Sequence, residues 1–185
     1  VLIDSLMPAF PHRAASNTGA DPEVVRTLLT DDAFRRGYWS GDLPEGVFWR
    51  ELGLPVPSPA ARMDILDLGA LVAPTRVSAW REVADVWVIS NHRHEWLLPV
   101  LAAHGFDDVV DRIHVSSLGG RVKPDPGAWE VLLADGVTAD RVAVVDDQEP
   151  NLAAARSLGM TAIAATGDLA WADHLDAWVE TASRR

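Results

Sequence analysis

Five short apolar runs recur along the chain: Val1-Leu2-Ile3, Val86-Trp87-Val88-Ile89, Ile113-His114-Val115, Val142-Ala143-Val144-Val145 and Thr161-Ala162-Ile163-Ala164. As a set they lack the polar and apolar alternation of half-exposed strands, which is the pattern of strands covered on both faces by helices. Segments with helical spacing lie between them, at Glu95 to His104, Pro126 to Asp135, Glu149 to Leu158 and Asp168 to Thr181, and Gly105 and Gly159 follow two of these as terminators. Strand and helix alternate from about residue 86 onward, so the expected class is α/β with a Rossmann-like parallel sheet.

Residues 12–84 break this rhythm. They offer no convincing strand, but several short helical segments separated by Asp21-Pro22, Gly41-Asp42-Leu43-Pro44 and Pro55-Val56-Pro57-Ser58-Pro59. A helical bundle inserted after the first strand of a parallel sheet stands over the strand ends, where ligands bind in such folds. The expected organisation is therefore an α/β core of residues 1–11 and 85–185 with a small α-helical cap of residues 12–84.

Composition narrows the partners. The formal charge of -11 repels a phosphate backbone, so nucleic acid is not an expected partner. The chain has no cysteine, which excludes a thiolate nucleophile or a thiolate zinc site. No apolar stretch approaches a membrane span, and Val1-Leu2-Ile3-Asp4 lacks the features of a signal peptide, so a cytoplasmic protein with no membrane partner is the expectation. Nothing in the sequence gives the oligomeric state.

The polar residues that follow the apolar runs are the informative ones. Asp4 follows the first, Ser90-Asn91 the second and Asp146-Asp147 the fourth, while Lys123 lies in the loop after the third. The carboxyl ends of parallel strands open on one edge, so these residues converge there. Gathered carboxylates need a cation, and a few oxygen ligands with retained waters suit Mg²⁺. A hydroxyl, an amide and an ammonium beside that ion suit a phosphoryl group under attack by an oxygen nucleophile. Taken singly, each piece has a plainer account: Asp146-Asp147 as a helix cap, Ser90-Asn91 as a cap for the helix near Glu95, and His92 and His94 as loop residues facing solvent.

On these residues the chain resembles the haloacid dehalogenase superfamily, in its branch of sugar-phosphatase-like enzymes with a small helical cap. Val86-Trp87-Val88-Ile89-Ser90-Asn91 is similar to the second motif of that family, Arg121-Val122-Lys123-Pro124-Asp125-Pro126 to the third, and Val142 through Met160 to the fourth. The resemblance implies Asp4 as nucleophile and metal ligand, Ser90 as phosphoryl binder and Lys123 as the group that stabilises its charge. It implies Asp147 as a direct Mg²⁺ ligand, with Asp146 and Asn151 organising the site around it. Asn91, Arg93, His12 and Trp39 are the candidates for contact with a small-molecule phosphate substrate.

The first motif departs from the family pattern. Leu6 occupies the position where the family usually has a second Asp, two residues after the nucleophile. Its backbone carbonyl still serves a metal, but its side chain cannot transfer a proton, a service worth roughly two to four powers of ten in rate. Three outcomes follow: a substrate whose leaving group needs no proton, such as an anomeric sugar phosphate or an acyl phosphate; a replacement such as His12 or His92; or a non-catalytic phosphate- or protein-binding module. The leading expectation is a Mg²⁺-dependent phosphohydrolase of a small metabolite, a sugar phosphate among the candidates, working through an aspartyl-phosphate. A metal-free haloacid dehalogenase ranks below it, because Asp146-Asp147 would then have no metal to hold.

Overall fold

A computed structural model describes residues 1–3, 9–133 and 136–182. Helices α1 (Phe10–Thr18), α2 (Pro22–Thr30), α3 (Asp32–Ser40), α4 (Glu45–Glu51) and α5 (Pro59–Leu66) come first. Their starts follow from local chemistry. Asp21 accepts the Glu23 N–H at 2.8 Å with Pro22 in the first helical position, Asp31 accepts the Phe34 N–H at 2.7 Å, and Ser58 accepts the Ala61 N–H at 3.2 Å. Asp31 both ends α2 and caps α3, so the two helices join at a tight corner.

Next come α6 (Pro74–Arg81), β1 (Trp87–Ser90), α7 (His94–Ala103), β2 (Arg112–Val115), α8 (Ser116–Gly119), α9 (Glu130–Leu133), β3 (Ala143–Asp146), α10 (Glu149–Ser157), β4 (Thr161–Ala164) and α11 (Ala170–Ala182). The helix expected from Pro126 to Asp135 is instead a 3-10 turn at Pro126–Ala128 followed by the single turn of α9, with Ala134 and Asp135 outside the described residues. β1 pairs in parallel with β2, Ser90 opposite Val115, and β3 pairs in parallel with β4, Asp146 opposite Ala164. Among the described residues these are two two-stranded sheets. The expected first strand shows one antiparallel bridge, Ile3 to Ala70, with the Leu71 N–H donating to the Leu2 carbonyl at 2.9 Å.

A cavity of about 2110 Å³ is walled by Trp87–Ser90 of β1 and Ala143–Asp146 of β3, with Val1, Leu2 and Ile3 also on its lining. Cap residues of α3 and the loop around Lys123 reach the same space.

Buried residues near both ends of the expected cap fall into two clusters. Phe10 is buried in one cluster with Val25, Tyr38, Phe48, Trp49, Ile65 and Leu68, whereas Val72, Val77 and Trp80 are buried with Trp171 and Val179 of α11. Phe10 thus packs with the helices that follow it, in a cluster that reaches Leu68, while α6 packs with α11. The reason is chemical: Val77 and Trp80 of α6 lie one turn apart on one face, and the Trp80 indole N–H and the Arg76 guanidinium both reach Asp176 of α11. The cap cluster is not self-contained, because Trp96 and Val100 of α7 belong to it. Trp96 is fully buried, and burying a whole indole side chain contributes on the order of 4–6 kcal/mol. Among the described residues no helix is long and apolar enough to cross a membrane.

Candidate active site

Lys123 joins the carboxyl ends of the two sheets. Beyond β1, the Asn91 side-chain amide donates to the Lys123 carbonyl at 2.7 Å and accepts the Lys123 N–H at 2.8 Å. At the end of β3, the Asp146 carboxylate accepts the Lys123 ammonium at 2.6 Å. The ammonium also lies 5.6 Å from the centre of the Trp129 ring, a cation–π contact that holds its second side. Burial alone would raise the Asp146 carboxyl, but the Lys123 charge and hydrogen bonds from Lys123, Asn151 and the Gln148 N–H outweigh it and hold it below the ordinary carboxylate value.

The neighbouring Asp147 is exposed, lines the cavity and has no hydrogen-bond or ion-pair partner among the described residues. Ser90, at the tip of β1, lines the same cavity with its hydroxyl likewise uncommitted among them. The acidic pair is thereby divided: Asp146 is spent on Lys123, and Asp147 remains as a bare oxygen donor of the kind a hard divalent cation takes. That donor chemistry fits Mg²⁺, although the described residues alone bring no three His, Asp or Glu side chains together. Asp4 and Leu6, expected as nucleophile and metal ligands, lie outside the described residues.

Trp39, from the last turn of α3, lines the cavity, with its ring 5.3 Å from that of His92. Three other candidates are placed differently from expectation. Arg93 is 3% exposed and meets no ligand space: it grips Glu95 through two hydrogen bonds and donates to the carbonyls of Tyr38 at 3.1 Å and Leu43 at 2.9 Å. Its donors are consumed between core and cap because a planar fork matches a carboxylate on one side and two carbonyls on the other. The Asn91 side chain is not free for substrate either, since both ends of its amide brace Lys123. His12 is exposed and absent from the cavity wall, because α1 turns Phe10, Pro11 and Ala14 inward and His12 falls on the opposite face.

His92, the other candidate for proton transfer, is buried, and burial pushes its imidazole down to about 4. Its Nδ1 meets the Arg93 carbonyl at 3.2 Å, so the proton is on Nδ1 and the buried Nε2 is an acceptor with no partner. A neutral imidazole in that tautomer holds no labile proton for a leaving group near neutral pH. His94 bonds Ser117 and Glu95, and Trp49 is packed at 1% exposure in the cap cluster. Two residues were not singled out by the sequence. Trp129 had no spacing rule to flag it, and Ser116, whose hydroxyl donates to the Trp39 carbonyl at 2.6 Å and accepts the His92 N–H at 3.0 Å, reads in sequence as an ordinary strand-end serine.

The family model for haloacid dehalogenase-like hydrolases matches residues 70–159. No protein of curated function matches the chain. The solved structure of a predicted HAD-like family hydrolase from Porphyromonas gingivalis shares its fold with a TM-score of 0.74 at 18% identity, over 92% of this chain and 88% of that one. A HAD family enzyme from Bacteroides thetaiotaomicron, solved with magnesium and inorganic phosphate, gives 0.71 at 16% identity over 91% of each chain. An L-2-haloacid dehalogenase gives 0.60 at 19% identity, over 89% of this chain and 81% of that one. At such identities these structures speak for the fold. The family match runs across the ends of β1, β2 and β3 up to Gly159, and the chain shares its fold with solved haloacid dehalogenase-like hydrolases.

Proposed function

We propose that the chain is a Mg²⁺-dependent phosphohydrolase of a small phosphorylated metabolite, with Asp4 as the nucleophile. The observation that carries this reading is the division of labour at the end of β3: Asp146 neutralised by Lys123, and Asp147 uncommitted on the wall of the cavity that Ser90 also lines. Asp147, with Asp4 and the Leu6 carbonyl, would hold the ion, which when bound supplies positive charge to the phosphoryl oxygens.

The chain's own residues account for the rest. A carboxylate oxygen of Asp4 attacks phosphorus while the bond from phosphorus to the leaving-group oxygen breaks, and the electron pair departs with that oxygen. Ser90 donates a hydrogen bond to the phosphoryl group. Lys123 spends one of its three N–H donors on Asp146 and keeps the others for charge that builds on the equatorial oxygens. Water then attacks phosphorus of the aspartyl-phosphate and returns Asp4 as the carboxylate with inorganic phosphate. Because Leu6 cannot protonate the departing oxygen and His92 is neutral, substrates whose leaving group departs without a proton are favoured, namely anomeric sugar phosphates and acyl phosphates.

The test is phosphate release across a panel of such esters and anhydrides, with Mg²⁺ and with EDTA. Release that requires Mg²⁺ and vanishes in Asp4→Asn supports the reading; an Asp4→Asn variant as active as the parent ends it. The dehalogenase found among the similar folds supplies the rival chemistry, which halide release from a small haloacid in EDTA would establish.

A further inference from the structure

We infer that Arg93 bolts the helical cap to the core as a fixed roof, so that the site works without the cap swinging away. The guanidinium is 3% exposed and lies three residues beyond Ser90. On the core side it is held by Glu95, at 2.8 and 3.0 Å. On the cap side it holds the carbonyls of Tyr38 in α3 and Leu43 in the loop to α4, and it lies 5.1 Å from the centre of the Tyr38 ring.

Independent contacts lock the same seam. Ser116 donates to the Trp39 carbonyl at 2.6 Å, the Trp96 indole of α7 donates to Glu45 of α4 at 2.7 Å, and the His104 ring meets the Leu68 carbonyl at 2.7 Å. Gly41, at φ +91°, lies so close that a Cβ there would collide with the Ser117 carbonyl oxygen, so the seam has no slack for even one methyl group. A swinging lid requires an interface that separates at small cost. This one would have to uncover Trp96, which is fully buried and in ring contact with Phe10, Tyr38, Trp39, Phe48 and Trp49 of the cap.

Arg93 is thus a positioning residue. By fixing the end of α3 it sets Trp39 on the cavity wall, and the same helix brings Asp32, Arg35 and Arg36 to that wall at helical spacing. Ligand access is left to side chains, where Arg36 meets Asp125 at 3.5 Å, both of them exposed.

The chain has no cysteine, so paired spin labels can be introduced cleanly at the exposed Glu51→Cys of α4 and Glu180→Cys of α11. The expected result is one narrow distance distribution in the free protein. It should change by no more than the ~1–2 Å of helix sliding when Mg²⁺ and inorganic phosphate are added. Arg93→Lys keeps a charge for Glu95 but cannot also span both carbonyls, so it should broaden that distribution while the protein remains folded; Arg93→Leu should broaden it further. Two populations in the free parent, or a larger ligand-driven shift, overturn the inference. So does a folded Arg93→Lys as narrow as the parent. Phosphate binding is read separately as a rise in melting temperature. Its absence would count against the phosphohydrolase reading, while the free-state distances would still decide the fixed roof.

Discussion

Two buried ion pairs, Glu45 with Arg62 in the cap and Lys123 with Asp146 in the core, are built from the same chemistry and do different work. In both, the side chains are nearly sealed, at 11% and 8% exposure for Arg62 and Glu45 and 11% and 4% for Lys123 and Asp146. Glu45 is saturated: one oxygen accepts Arg62 and the indoles of Trp49 and Trp96, and the other accepts Arg62 again. Nothing is left over, and neither Glu45 nor Arg62 lines the cavity. Lys123 is half used, with one carboxylate and one aromatic face as partners, and it does line the cavity. A saturated buried pair serves architecture, whereas one with spare donors beside open space is ready for a ligand's charge.

The comparison breaks most easily at the saturated pair. Glu45→Leu leaves Arg62 buried without a counter-charge and should cost about 3–5 kcal/mol of stability in urea unfolding. The activity per folded molecule should be retained. Lys123→Met should show the opposite division: a loss of phosphate release of about 10²–10³-fold with a smaller fall in stability, because Asp146 keeps its hydrogen bonds from Asn151 and Gln148. If both variants lose stability alike and activity alike, the distinction fails.

A subtler effect concerns His92, between the two regions. Its folded value of about 4 lies below the ordinary 6.5, so the unfolded chain binds a proton that the folded one refuses. Its contribution is complete above pH 6.5 and is lost as pH falls toward 4, by up to about 3 kcal/mol. The depressed Asp146 carboxyl adds a further loss only at lower pH, as its folded value is crossed below the ordinary 3.8. His92→Asn should flatten the first slope and leave the second; melting temperatures measured from pH 7 to pH 3 check this.

The strand ends were legible because the rule behind them is local: an apolar run followed at once by Ser90 or by Asp146-Asp147. Helix starts at Asp21, Asp31 and Ser58 were equally local, since a cap bonds an amide two or three residues ahead. Arg93 reads as a ligand contact in sequence because its partners in the cap lie 55 and 50 residues away. Asn91 reads in the same way, while its amide is spent 32 residues away on Lys123. The outward place of His12 has a different cause, as the face of α1 that turns inward is chosen by the whole cap cluster.

By itself the sequence determined the α/β class, the helical insertion and the set of chemical groups near the strand ends, since periodicity and turn chemistry act over a few residues. Tertiary structure alone decided which of those groups remain free. A polar side chain is available to a ligand only when no nearer donor or acceptor claims it, and folding brings the claimants from remote parts of the chain. Asp146 and Asp147 stand side by side in sequence, yet only the fold gives one to Lys123 and leaves the other on the cavity wall.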